Sequence, residues 1–294
     1  MPVLFALCGP TGVGKSKLSL ELAERYCAEI IGVDSRQIYR GFAIGTAQPS
    51  VPEMQRVNHH LINFCEPSRV YSAGDFCNDV RALLEANPQK NYILVGGTGL
   101  YLQALMLGLP KIPAIDGRVR ESLEADCEKF GLPWLCDEAR KVDPESMEGA
   151  DENNRHRIVR ILEVYRGTGR KLSEWKLERS GGIGNIPVYF LNRSRENLYA
   201  RINERVDQMV RDGWLQEIRS LAQRVPLTAP AWQSLGYREL LAAKDDSEIK
   251  TVLDKVKQQT RNYAKRQITW FSRQVNSVQI NLDSEDALHV IATP

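Results

Sequence analysis

The stretch that most constrains this chain is Gly9-Pro10-Thr11-Gly12-Val13-Gly14-Lys15-Ser16, a complete match to the phosphate-loop pattern G-x-x-x-x-G-K-[ST]. The pattern carries chemistry only between a strand and a helix, and both are legible. Val3 to Cys8 is an apolar run of strand length, and Ser16 to Tyr26 sets Leu18, Leu20, Leu22 and Ala23 among charges, as an amphipathic helix requires. Gly9, Gly12 and Gly14 let the backbone N–H groups of the loop converge on an anion where the helix dipole also favours negative charge. Lys15 adds a point charge and Ser16 a hydroxyl for Mg²⁺. The loop is expected to hold a diphosphate.

Two further strands end in polar residues. Ile30 to Val33 runs into Asp34-Ser35-Arg36-Gln37-Ile38-Tyr39, and Asn91 to Val95 runs into Gly96-Gly97-Thr98-Gly99-Leu100-Tyr101. Ligands of open parallel sheets gather outside the carboxyl ends of the strands, so Asp34 and Thr98 are expected beside Lys15. Asp34 suits a Mg²⁺ ligand, a general base, or a cap of its own turn. Residues 41–75, punctuated by Gly and Pro, read as long loops on the active side; adjacent His59 and His60 suit packing or a phosphate contact better than a metal.

The α/β rhythm breaks after Leu107. Until Pro187 the pattern is helical, over Gly117 to Phe130, Trp134 to Val142 and Asn153 to Tyr165, which predicts a helical domain at 113–184 inserted into an α/β core formed by 1–112 and 185–294. Its second half is basic: Arg155, Arg157, Arg160, Arg166, Arg170, Lys171, Lys176 and Arg179 face only Glu163, Glu174 and Glu178 in the same stretch. A phosphate-rich polymer or a solvated helix face would both suit that. Helices then dominate. Arg201 and Arg205 flank one buried stripe, in reach of a diphosphate or in a surface ladder with Glu204 and Asp207. From Arg261 to Arg273 basic residues interleave with aromatics, a mixture suited to nucleic acid. Ser277 to Leu282 reads as a closing strand.

Composition limits the partners. The 294 residues carry 39 basic and 37 acidic side chains, so any nucleic-acid surface is a local patch. The six cysteines are scattered without C-x-x-C or zinc spacing and read as reduced thiols. With no signal-like start and no apolar run of membrane length, the protein is expected to be cytoplasmic.

In this order the motifs resemble one family, the tRNA dimethylallyltransferases (tRNA isopentenyltransferases) of bacterial type, without a zinc finger. The likeness covers nearly the whole chain. It rests on the phosphate loop, Asp34 to Tyr39, Ile44-Gly45-Thr46-Ala47, His59-His60-Leu61, Val95 to Tyr101, Asn153-Asn154-Arg155-His156-Arg157, Arg201 to Met209, Gly236-Tyr237-Arg238-Glu239-Leu240, and Ala264 to Phe271. Gln48 departs from it, standing where the family commonly has Lys. The resemblance implies an α/β fold with a P-loop NTPase-like parallel sheet, a helical insertion that grips the anticodon stem-loop and a helical C-terminal part. It implies transfer of a dimethylallyl group from dimethylallyl diphosphate to N6 of the adenosine 3′ of the anticodon, with Asp34 and Thr98 catalytic. Gly9, Thr11, Gly12, Gly14, Lys15, Ser16 and Arg205 would then bind the donor, with Mg²⁺ at Ser16. Ser35, Gln37, Tyr39, Arg155, Arg157, Arg160, Lys265, Arg266, Gln267 and Trp270 would contact tRNA, and the protein would work as a monomer. The competing readings are a prenyltransferase acting on a free adenine nucleotide and a small-molecule kinase using ATP in the same loop.

Overall fold

The computed structural model describes residues 4–291; Met1 to Val3, expected to open the first strand, lie outside them. Strand β1 (Leu4–Cys8) enters the phosphate loop and helix α1 (Lys15–Arg25) leaves it. The chain continues through β2 (Ala28–Val33), α2 (Val51–Arg56), β3 (His59–His60), α3 (Ala73–Ala86), β4 (Asn91–Gly96) and α4 (Gly99–Leu107). Next come β5 (Leu109–Pro110), α5 (Gly117–Phe130), α6 (Leu132–Val142), α7 (Pro144–Met147), α8 (Arg155–Thr168), α9 (Leu172–Leu177) and β6 (Arg179–Ser180). The last part holds β7 (Val188–Asn192), α10 (Arg195–Arg211), α11 (Trp214–Ala222), α12 (Tyr237–Ala242), α13 (Asp246–Gln274), β8 (Val278–Asn281) and α14 (Ala287–Val290).

These elements fall into two compact units, one spanning Leu107–Gly184 and the other the chain up to Met106 and from Asn185 on. In the larger unit six strands form one sheet in the order β3-β2-β4-β1-β7-β8, every pairing parallel. Phe5 to Cys8, Ile31, Ile93 and Leu94 are fully buried, as strands covered on both faces must be. Leu18, Leu20, Leu22 and Ala23 of α1 join Leu198 and Ile202 of α10 in that core.

The smaller unit has its own core, in which Leu123 and Cys127 of α5, Leu135 and Ala139 of α6, and Ile158, Val159, Ile161 and Leu162 of α8 are buried together. Fully buried Asp143 organises its far side. One carboxylate oxygen accepts the Ser146 N–H at 3.1 Å and the other the Ser173 N–H at 2.9 Å, so one side chain caps both α7 and α9. Burial opposes its charge, yet the donors prevail and hold the carboxyl below its ordinary range. This unit begins at Leu107 rather than 113, because β5 pairs antiparallel with β6. A two-residue strand has no periodicity to read.

Residues 41–75 are also more ordered than a loop reading expects. Ser50 and Glu53 close a capping box that starts α2, the S-x-x-E signal a sequence displays. The two histidines form the edge strand β3, where His60 Nε2 meets Glu29 at 2.7 Å and His59 Nδ1 meets the Val57 carbonyl at 2.8 Å. They pack.

Candidate active site

Register builds the site's floor. Cys8 and Val33 both lie opposite Gly96, so β1, β2 and β4 end level, and the segments leaving them meet at one sheet edge. There the Ser35 N–H donates to the Thr98 hydroxyl at 3.1 Å, and the Thr98 N–H to the Val33 carbonyl at 3.1 Å.

On one side lies the phosphate loop. Gly14, at φ +116°, begins α1 in a conformation that side chains resist, and no side chain caps that helix. By contrast α3, α10 and α13 are capped by Ser72, Ser194 and Asp245. The first-turn N–H groups of α1 are therefore left for a ligand. Lys15 Nζ donates to the Gly9 and Pro10 carbonyls at 2.9 and 3.0 Å, and Arg205 donates to the Thr11 hydroxyl at 3.0 Å. Burial, and then the Arg205 charge, bring Lys15 down to about 8, while Asp34 acts the other way. Burial likewise works against the charge on Arg205, with Asp34 supporting it. Two close cations held against mutual repulsion form a receptor for an anion.

Arg201 is not part of a surface ladder. Its Nε donates to the Gly12 carbonyl at 2.9 Å, whereas Glu204 pairs with Arg211 and Asp207 with Lys257. Arg193, which no sequence motif marks, donates to the Val13 carbonyl at 2.9 Å and pairs with Asp283 at 2.7 Å. Both arginines thus tie carbonyls of the phosphate loop to the segment that follows β7.

On the other side Asp34 accepts the Arg36 and Gln37 N–H groups at 2.8 and 3.2 Å, both through Oδ1. It caps its own turn and still has Oδ2 to spend. Partly buried Tyr263 of α13 stands close to Asp34, and burial followed by the Asp34 charge pushes its phenol upward. The loop 43–48 is fastened from afar: Glu217 accepts the Ala43 and Ile44 N–H groups at 3.0 and 2.8 Å and the Tyr237 hydroxyl at 2.7 Å. Gln48 in turn donates to the Gln37 and Tyr39 carbonyls. Nothing local in the sequence announces Glu217. Tyr263 was readable, since Tyr263 and Gln267 lie four apart on the inward face of α13, with Lys265 and Arg266 exposed.

Several residues expected at an RNA surface lie elsewhere. Tyr39 is 3% exposed and donates to the Arg69 carbonyl, and Gln37 spends its amide on the Thr46 and Ala47 carbonyls. Gln267, at 6% exposure, accepts the Thr11 N–H and donates to the Gly97 carbonyl, both at 2.9 Å. While partly buried Gln37 commits its NH₂ group to the 46–47 turn, Tyr39 and Gln267 are internal braces, because their polar atoms are taken or covered. The Thr11 amide is thereby withdrawn from the cradle. Trp270 lies over Gly99, while Ser35 stays partly open and Lys265 and Arg266 stay exposed.

In the smaller unit the basic run is also more neutral than its own stretch suggests. Arg155 pairs with Glu124, Arg160 with Glu163, Arg166 with Asp126 and Arg170 with Glu178. Arg157, Lys176 and Arg179 instead gather at Ser146. Arg157 donates to its carbonyl at 3.2 Å, Lys176 to its hydroxyl at 3.4 Å, and Arg179 to the Lys176 carbonyl at 3.2 Å. Burial and then the Arg157 charge lower the Lys176 pKa.

Comparison with known proteins matches residues 37–274 to the family model described as IPP transferase. The chain is 42% identical over 277 residues to the tRNA dimethylallyltransferase of Salinibacter ruber, covering 92% of this chain and 85% of that protein. With the Fusobacterium nucleatum tRNA dimethylallyltransferase it shares 39% over 297 residues, covering 98% and 95%. Among solved structures, the full-length tRNA isopentenylpyrophosphate transferase of Bacillus halodurans superposes with a TM-score of 0.70 at 35% identity, covering 99% of this chain and 94% of that one. A eukaryotic dimethylallyltransferase acting on tRNA superposes with a TM-score of 0.77 at 26% identity, covering 99% and 78%.

Proposed function

The chain belongs to the IPP transferase family, and from that premise we propose that it moves a dimethylallyl group from dimethylallyl diphosphate to N6 of the adenosine 3′ of the anticodon in tRNA. One observation carries the proposal: a cation-lined phosphate cradle and a carboxylate–hydroxyl pair stand side by side at one sheet edge. The cradle takes the leaving group. As the allylic C–O bond breaks, charge grows on the bridging oxygen, and fixed groups such as Lys15, Arg205 and the amides opening α1 stabilise that state more than the ground state. Asp34 accepts the proton that the poorly nucleophilic N6 amine must lose, and Thr98 orients the amine.

Mg²⁺ fits this donor set. Exposed Ser16, at the start of α1 beside the loop, offers the hydroxyl oxygen, and the described residues contain no group of three or more His, Cys, Asp or Glu that would hold an ion on their own. Mg²⁺ commonly takes one or two protein oxygens and completes its shell with phosphate and water. Bound so, it would neutralise charge on the diphosphate.

Among the described residues no helix is long and apolar enough to cross a membrane. Our reading is of a monomer working in the cytoplasm. The decisive experiment incubates the protein with unmodified tRNA and dimethylallyl diphosphate, digests the RNA and weighs the nucleosides. One adenosine should gain a five-carbon prenyl unit without ATP. Prenylation of free AMP alone, or phosphate transfer from Mg-ATP, would overturn the reading.

The same reading assigns phosphate contacts to the smaller unit, now to different side chains. An arginine already paired with a carboxylate releases few counterions when it meets a phosphate, whereas Arg157, Lys176 and Arg179 make no ion pair among the described residues. Changing these three together to glutamine should reduce the slope of log affinity against log salt by roughly three. The pair Arg155→Gln and Arg160→Gln should alter it by less than about one. Filter binding of one tRNA over a salt series decides, and equal effects would return the contacts to the whole basic run.

A further inference from the structure

We propose, resting on the transfer reading above, that Gln267 is the positioning residue that sets the leaving-group side of the site against the acceptor side. Its buried amide is the link between them. Oε1 takes the Thr11 N–H at 2.9 Å, and the Thr11 hydroxyl takes Arg205 at 3.0 Å. Nε2 gives to the Gly97 carbonyl at 2.9 Å, and the next residue, Thr98, holds the Ser35 N–H at 3.1 Å. One chain of hydrogen bonds thus runs from Arg205 through Thr11, Gln267 and Gly97 to the turn that carries Asp34. Both partners are backbone groups of the two loops, so moving the amide moves a loop.

The fit around this link is tight. A Cβ on Gly97 would lie 2.1 Å from Gln267 Nε2 and 3.2 Å from the Gly9 carbonyl oxygen, so position 97 accommodates the amide only as glycine. A displacement needs nucleophile, carbon and leaving oxygen in line, and an error of about 1 Å costs on the order of 100-fold. A brace that fixes the spacing of the two loops therefore acts on the rate of the chemical step more than on the affinity for either substrate.

The test compares Gln267→Met, Gln267→Glu and Gly97→Ala with wild type in single-turnover prenylation, tRNA filter binding and thermal melting. Met keeps the volume and loses both bonds; Glu still accepts from Thr11 but turns an oxygen towards the Gly97 carbonyl; Ala at 97 displaces the amide. Each should slow the chemical step by about 10–100-fold with tRNA and donor KM nearly unchanged. Combining Gln267→Met with Gly97→Ala should be little slower than the slower single variant, since both break one contact. A raised tRNA KM at unchanged rate would make Gln267 an RNA contact and overturn the proposal. So would a lowered melting temperature with an unchanged rate per folded molecule, which is mere packing. An inactive wild type would sink the transfer reading itself, and with it this inference, before any variant is compared.

Discussion

Lys15→Ala should cost turnover about a hundred- to a thousandfold or more, the scale of removing one preorganised donor from a developing oxyanion. The structure gives the loss two sources. The ammonium group ties the Gly9 and Pro10 carbonyls at 2.9 and 3.0 Å, so its removal loosens the entry to the loop as well as deleting a charge. The remaining cation of the pair, Arg205, is anchored on Thr11 and would meet a diphosphate without its partner. Affinity for tRNA should survive, because on our reading the phosphate contacts to RNA lie on Arg157, Lys176 and Arg179. Donor titration and tRNA filter binding on the same preparation separate the two effects. A parallel fall in tRNA affinity would mean that the loop does not serve the prenyl donor.

Asp34→Asn should leave both substrates bound and slow the chemical step by about a hundred- to ten-thousandfold, the range for a positioned acid–base group. Geometry makes the variant informative. The turn is capped through Oδ1 alone, by the Arg36 and Gln37 N–H groups at 2.8 and 3.2 Å. An asparagine carbonyl oxygen can keep both bonds and set its NH₂ where Oδ2 was, preserving the turn while removing the proton acceptor. Single-turnover rates are the readout, with melting temperature as the control. A near wild-type rate would reduce Asp34 to the cap that it also is.

Much of this site was legible before any coordinates, and for a local reason. The phosphate loop needs a strand, an eight-residue pattern with four specified positions, and a helix in succession, and all three lie within residues 3–26. Asp34 and Thr98 followed from the rule that strand carboxyl ends carry the ligand, which needed only the strand ends to be found. The same locality let α5 be bounded as it stands, Gly117–Phe130, since periodicity and capping residues sit beside the helix they bound.

The sequence by itself therefore determined the fold class, the cradle and the two residues expected opposite it. Tertiary structure alone decided which polar side chains face solvent and which are consumed inside. Gln267 meets Thr11 across 256 residues and Gly97 across 170, and whether an amide in a basic, aromatic stretch turns outward to RNA or inward to two loops depends on how α13 packs, which its composition does not encode. The same holds for charge. Arg155 and Arg166 are cations in their own helix, yet Glu124 and Asp126 of α5 neutralise them, while Arg157 between them meets no carboxylate among the described residues. A residue's charge is written in the chain; its partner is set by the neighbour that packing brings within about 4 Å.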